Sequence, residues 1–166
     1  MKPLVLSVVT LLLAVPAGAQ AQAVFQRPDC PAADAVHSAE ARCIRDVRKR
    51  WQQANFDALQ KTGLMFVQMG RPEIDRHPAA KAAIEKKIEG SFAVRFSVAP
   101  DGTVYNVRTV DVTGGIEPLA KMWAETIGQW TFVKPDQAVA DIEYRRIYLY
   151  ARDDEAESQK KPQATL

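Results

Sequence analysis

Few residues in this 166-residue sequence have the type and spacing for chemistry: two cysteines, Cys30 and Cys43, and two histidines, His37 and His77. Catalysis needs a nucleophile with its base, a general acid and base held together, or a metal site. The sequence has no His-Glu-x-x-His, Gly-x-Ser-x-Gly or Cys-x-x-Cys pattern and no glycine-rich phosphate loop. The adjacent acids Asp153 and Asp154 lie in a polar stretch where nothing would shift their pKa values. The expectation is a protein that is not an enzyme and needs no cofactor or metal. His77, alone in a connector, reads as exposed, with a partner contact as the functional alternative.

What the cysteines do depends on compartment. Lys2 opens a short positive region, Leu4 to Val15 is apolar, and small-x-small sites run up to Ala23, so residues 1–23 read as a secretory signal peptide cleaved near Ala21 or Ala23. The apolar run is shorter than the roughly 20 residues that cross a bilayer, so no retained span is expected. Export favours a Cys30–Cys43 disulfide over a metal or redox site, with two free, buried thiols as the alternative. One straight helix from Cys30 to Cys43, rising about 1.5 Å per residue, would hold their Cα atoms about 20 Å apart, against the limit of about 7 Å for a bridge. A bridge therefore requires the chain to turn, and Asp29-Cys30-Pro31 is a plausible non-helical start.

The 22 basic and 20 acidic residues leave a net charge of +2, too small to imply nucleic acid or a membrane surface as partner. The basic run from Arg42 to Arg50 reads as the solvated face of a helix. That helix is expected from Ala32 to about Thr62, with Ile44, Val47, Trp51, Ala54 and Ala58 along one face. A connector punctuated by Gly63, Gly70, Pro72 and Pro78 follows, in which Leu64 to Val67 are apolar enough to pack. Pro78 suits the first turn of a second helix, with Gly90 as its C-terminal cap.

Phe92, Val94, Phe96 and Val98 then alternate with smaller or polar residues, the period of a half-buried strand. Pro100-Asp101-Gly102 is a turn, and a second strand runs from Thr103 to about Val112. Its valines, at 104, 107 and 110, break strict alternation, which predicts a β-bulge. A third helix places Leu119, Trp123, Ile127 and Trp130 near one face, and the tryptophans, Trp51 included, read as core. A last strand runs from Ala140 to Ala151, and a polar tail follows. The fold class is α+β: a small antiparallel three-stranded sheet with helices on one face, preceded by a helical extension. The divisions are 1–23 signal peptide, 24–75 helical extension, 76–151 α+β domain and 152–166 disordered tail.

The ordered set Pro78, Glu89-Gly90, Asp101-Gly102, Val104 and Val107, Trp130 and Phe132, Pro135 and the strand from Ile142 resembles the C-terminal domain of TonB and its relatives. The resemblance covers about Arg76 to Ala151. It implies a periplasmic protein-binding or peptide-binding module, accessory to transmembrane transport, that takes a segment of a partner at the cell envelope, such as an outer-membrane transporter, by β-augmentation at its last strand. On this sequence the implied edge runs from Ile142 to Tyr150, with Ile142, Tyr144, Arg146, Tyr148 and Tyr150 as the partner-binding candidates; His77 is a separate candidate for a partner contact. The chain departs from that family's energy transducer in lacking a proline-rich spacer and in having His77-Pro78 where Tyr-Pro is common. Tyr144, Tyr148 and Tyr150 can be read equally as a cover for the helices or as a peptide contact. Arg145 and Arg146 can be read as charges guarding an edge that the N-terminal helix covers. The alternative function is a structural or self-associating envelope protein, a homodimer through its N-terminal helix.

Overall fold

The alternating stretch from Gly90 forms the middle of the sheet because both of its neighbours need it: its apolar side chains face the helices, and each edge of its main chain meets an antiparallel strand. In the computed structural model, which describes residues 25–30 and 38–151, the elements are α1 (Ser38–Lys61), β1 (Phe66–Gln68), α2 (Pro78–Glu85), β2 (Gly90–Val98), β3 (Val104–Val110), α3 (Glu117–Ile127), β4 (Thr131–Phe132) and β5 (Val139–Tyr148). This is an α+β fold with a three-stranded antiparallel sheet, order β3-β2-β5, and a separate antiparallel pair, β1-β4. The signal-peptide and tail segments expected from the sequence, His37, and the first part of the expected N-terminal helix fall outside the described residues.

One face of β2, carrying Phe92, Val94, Phe96 and Val98, packs with Leu119, Met122, Trp123 and Ile127 of α3 and with Ala80 and Ala83 of α2. Trp130 and Phe132 close this core, and the Trp130 indole N–H donates to the Gly70 carbonyl at 3.0 Å. The hairpin turn forms as its residues dictate. The Gly102 N–H bonds the Ala99 carbonyl, and the Asp101 carboxylate accepts from the Thr103 amide at 2.9 Å and hydroxyl at 2.6 Å. Those bonds hold the Asp101 carboxyl below its ordinary pKa. Gly102 has φ +87°, and an added Cβ would lie 2.1 Å from the Phe132 carbonyl oxygen.

The expected bulge is present. Arg95 pairs with Arg108 but Ser97 pairs with Tyr105, so Asn106 and Val107 together oppose Phe96, with Asn106 at φ 52°. A second shift occurs on β5, where Asp141 at φ 52° sits between the Ile142–Phe96 and Val139–Val98 pairs. Over the sheet's other face Arg95 bonds Glu143 and Arg108 bonds Asp141, each at 2.9 Å.

Several sequence expectations are corrected. The second helix stops at Glu85, and Lys87 at φ 51° makes the exit while Gly90 begins β2. Gly90 is needed for space: a Cβ there would lie 2.2 Å from the Thr113 carbonyl oxygen. The connector after α1 contains β1, which pairs with β4. The Phe66 ring packs on Phe132 and Trp130, with ring centroids at 4.6 and 5.3 Å, but keeps one side exposed, and Met65, Val67 and Met69 are more exposed still. On α1, Ile44 and Val47 are buried as expected, but Ala54 and Ala58 are exposed and the buried line continues through Asn55 and Leu59.

Candidate functional site

β5 is the last strand of its sheet, with β2 on one side only. In an antiparallel ladder both main-chain groups of a residue point to the same side, and successive residues alternate. The Arg145 N–H donates to the Asn55 side-chain oxygen at 2.8 Å, and the Arg145 carbonyl accepts from the Asn55 amide nitrogen at 2.6 Å. Arg145, and by alternation Ile147 and Leu149, therefore direct their main chain away from β2, while Tyr144, Arg146 and Tyr148 carry the ladder. Asn55 is 5% exposed, on the buried line of α1. Its amide supplies one donor and one acceptor, the pair that a residue of an added strand would present.

Further contacts hold α1 and the N-terminal segment against the residues that follow β5. The Arg48 guanidinium bonds the Leu149 carbonyl. Arg27 bridges the carboxylates of Glu40 and Glu89, both at 2.6 Å, and donates to the Tyr150 carbonyl at 3.0 Å. Glu89 in turn accepts from the Tyr150 N–H at 2.8 Å. Cys30 and Cys43 are joined in a disulfide, Cα–Cα 5.7 Å, which ties this segment to α1. Around the bridge Ile44, Val47 and Leu149 form a cluster separate from the main core, edged by Phe25, Trp51 and Ile147. Of α1, Leu59 alone is buried in the main core.

The residues singled out from the sequence fall into different places. Ile142 is buried. The Tyr144 ring packs on Trp123 and Trp130, at 5.5 and 5.3 Å, and burial raises its phenol pKa above the ordinary value. Tyr148 accepts from the Trp123 indole N–H at 2.8 Å, and the Arg146 guanidinium lies 4.2 Å above the Trp123 ring. Tyr150 is past the strand end, half-buried, and burial raises its phenol too. Of the two readings open for them, the two tyrosines on the strand thus take the helix cover, packing against Trp123 of α3. His77 lies at a different place. It caps α2, 3.8 Å from Glu125, in a groove of about 890 Å³ between α2, α3 and β3.

The residues missed from the sequence are Asn55, Arg27 and Arg48. Asn55 was hidden because a polar residue does not register in an apolar periodicity, and Arg48 because it belongs to an otherwise solvated basic run. Two clefts flank the α1–β5 seam. One, of about 310 Å³, is lined by Arg48, Trp51, Arg145, Arg146, Tyr148 and Tyr150 among others, and the second, of about 510 Å³, by Val47, Arg50, Trp51, Ala54 and Arg145 with Pro28. Among the described residues no acidic side chain lines either cleft, no group of three or more His, Cys, Asp or Glu is placed to hold a metal ion, and no helix is long and apolar enough to cross a membrane. Compared with known proteins, the chain matches no protein-family model, and no curated protein matches it significantly.

Proposed function

We propose that this chain is an exported protein-binding or peptide-binding module of the TonB C-terminal type, acting at the cell envelope as an accessory to transport and taking an extended partner segment along β5. The observation that carries the reading is the state of that edge: the outward main chain of Arg145 is met by one side-chain amide and not by a strand. Main-chain bonds along such an edge give affinity, and alternate side-chain contacts give register. The hairpin, helix and edge-strand order that suggested the resemblance supports it as well.

The test uses proline as a main-chain probe. Arg145→Pro removes an N–H that faces away from β2, so the sheet should survive; proline at Tyr148 would break the ladder itself. Titrating the labelled chain with an acetylated, amidated hexapeptide of alternating threonine and valine should shift the β5 amides in the wild type and not in the variant. Equal binding by both removes strand addition at this edge.

Self-association is the second reading, and one observation favours it. Val67 on β1 and Met65 and Met69 at its two ends are 68%, 64% and 57% exposed, and Phe56 is 60% exposed on α1. Sedimentation equilibrium across a hundredfold concentration range should then show a dimer that Val67→Lys dissolves. A concentration-independent monomer removes this reading.

A further inference from the structure

The α1–β5 seam is closed by a small apolar cluster and by side-chain bonds to the main chain of Arg145 and Leu149, and it is flanked by two clefts that carry arginines. The part of α1 before Leu59 is attached through a small cluster of its own, separate from the main core. Elements with little buried apolar contact open locally at lower free energy than the whole fold. The two clefts carry Arg48, Arg50, Arg145 and Arg146, with Trp51, Tyr148 and Tyr150 between them. Arg48 bonds a main-chain carbonyl and Arg146 an aromatic face, and among the described residues neither has a carboxylate partner. Cationic and aromatic groups beside outward main-chain donors and acceptors match an extended chain bearing carboxylates on alternate residues.

We propose that the seam is the binding site for an acidic extended segment, and that Asn55 holds the place of its main chain at Arg145 until that segment arrives. The inference rests on the strand-addition reading and adds the charge of the partner and the identity of the internal competitor. An incoming strand would take over the Arg145 main-chain pair, and its carboxylates would meet Arg48 and Arg146, which have no carboxylate partner among the described residues, whereas the Arg145 guanidinium is already paired with Glu143. To admit the segment α1 pivots about its Leu59 end, giving up the Asn55 pair and the small cluster with Leu149, so that the segment lies between β5 and α1 with Arg48 and Arg50 along its outer side.

The experiment compares two acetylated, amidated hexapeptides, alternating glutamate–valine and lysine–valine, titrated into the isotope-labelled full chain with the disulfide intact. The glutamate peptide should shift the Arg145 amide and the Asn55 side-chain amide together, and should bind at least about tenfold more tightly than the lysine peptide. Arg48→Gln with Arg50→Gln should erase most of that preference, while unchanged β2 amide shifts show that the fold persists. Asn55→Ala removes the competitor and should tighten the glutamate peptide several-fold; a merely structural asparagine would leave binding unchanged or weaker. Equal affinity for the two peptides at β5 would overturn the acidic-partner inference and leave strand addition standing. Shifts on the β3 groove alone, or none on β5, would overturn both.

Discussion

Replacing Gly90 by alanine tests how the Glu89-Gly90 pair works. Gly90 is buried at the start of β2, where the chain after β3 crosses it: a Cβ would lie 2.2 Å from the Thr113 carbonyl oxygen and 2.9 Å from Ile116 Cγ1. Ordinary contact begins near 3.4 Å, so the crossing segment must retreat by about 1 Å, against a main-chain atom that no rotamer change can move. Overpacking of this kind costs about 1–3 kcal/mol. The retreat also pulls on the bonds at the crossing, Thr113 N–H to the Ser91 carbonyl at 2.9 Å and Ser91 N–H to the Thr113 hydroxyl at 3.1 Å, each contributing about 1 kcal/mol. The expected loss is about 3 kcal/mol. With a urea slope of about 1.5 kcal/mol per molar, the midpoint of a two-state unfolding curve should fall by about 2 M. A fall below about 0.5 M would mean that the crossing yields freely, and the argument for glycine at this position would fail.

Converting both Cys30 and Cys43 to serine should cost about 3 kcal/mol, the loop entropy that a bridge of this span removes from the unfolded chain, and an unfolding curve unmoved by mutation or reductant would contradict it. Burial alone would raise the Glu143 pKa, but the bonds from Arg95 and Arg145 outweigh it and hold the carboxyl below its ordinary value. That stabilisation is present above the unfolded pKa of about 4.3 and lost as pH falls through the folded one, so the wild type should lose stability faster than Glu143→Gln between about pH 5 and pH 2; parallel pH profiles would refute it. Tyr144, whose phenol is raised by burial, acts at the other limit. Stability should fall as pH rises through about 10, and Tyr144→Phe should flatten that limb of a pH–stability profile. Tyr148→Phe removes the acceptor of the Trp123 indole N–H and should cost about 1 kcal/mol while shifting that N–H resonance, and an unmoved resonance would place the bond elsewhere.

The parts of the fold set by local chemistry were legible. Pro100-Asp101-Gly102 makes a turn through its own side chain and backbone, and the three-residue spacing of Val104, Val107 and Val110 required the bulge found at Asn106. Leu119, Trp123, Ile127 and Trp130 were placed in the core by periodicity alone. The parts set by tertiary partners were not legible. Gly90 looked like a helix cap because the 2.2 Å approach of Thr113 has no local signature. β1 reads as a packed connector in the sequence because its partner, β4, has two residues and lies about sixty positions away. The tyrosines of β5 have a strand's parity, but parity does not say which face is covered; Trp123, on α3, decides that.

Asn55 shows how α1 treats β5. A helix that covers the face of a sheet is best served by leucine on its buried line, as at Leu59. At position 55 an apolar residue would leave the Arg145 N–H and carbonyl buried without partners, at about 1–3 kcal/mol for each. The asparagine therefore belongs to edge management: α1 closes β5 bond for bond, as a strand would, but from a surface with little main chain to offer. It satisfies both groups at Arg145 through Asn55 and the carbonyl at Leu149 through Arg48. A real strand could present a donor or acceptor to every outward group from Arg145 to Leu149 without a helix dipole or a bulky cylinder between them. Where helix and strand compete for the same groups, the strand gains the larger number of main-chain bonds, while the helix keeps the advantage of being tethered by the disulfide and by Arg27. Weakening the tether should therefore favour the strand, and strengthening the helix contact, for example with Ala54→Leu against the Val47 and Trp51 cleft, should disfavour it.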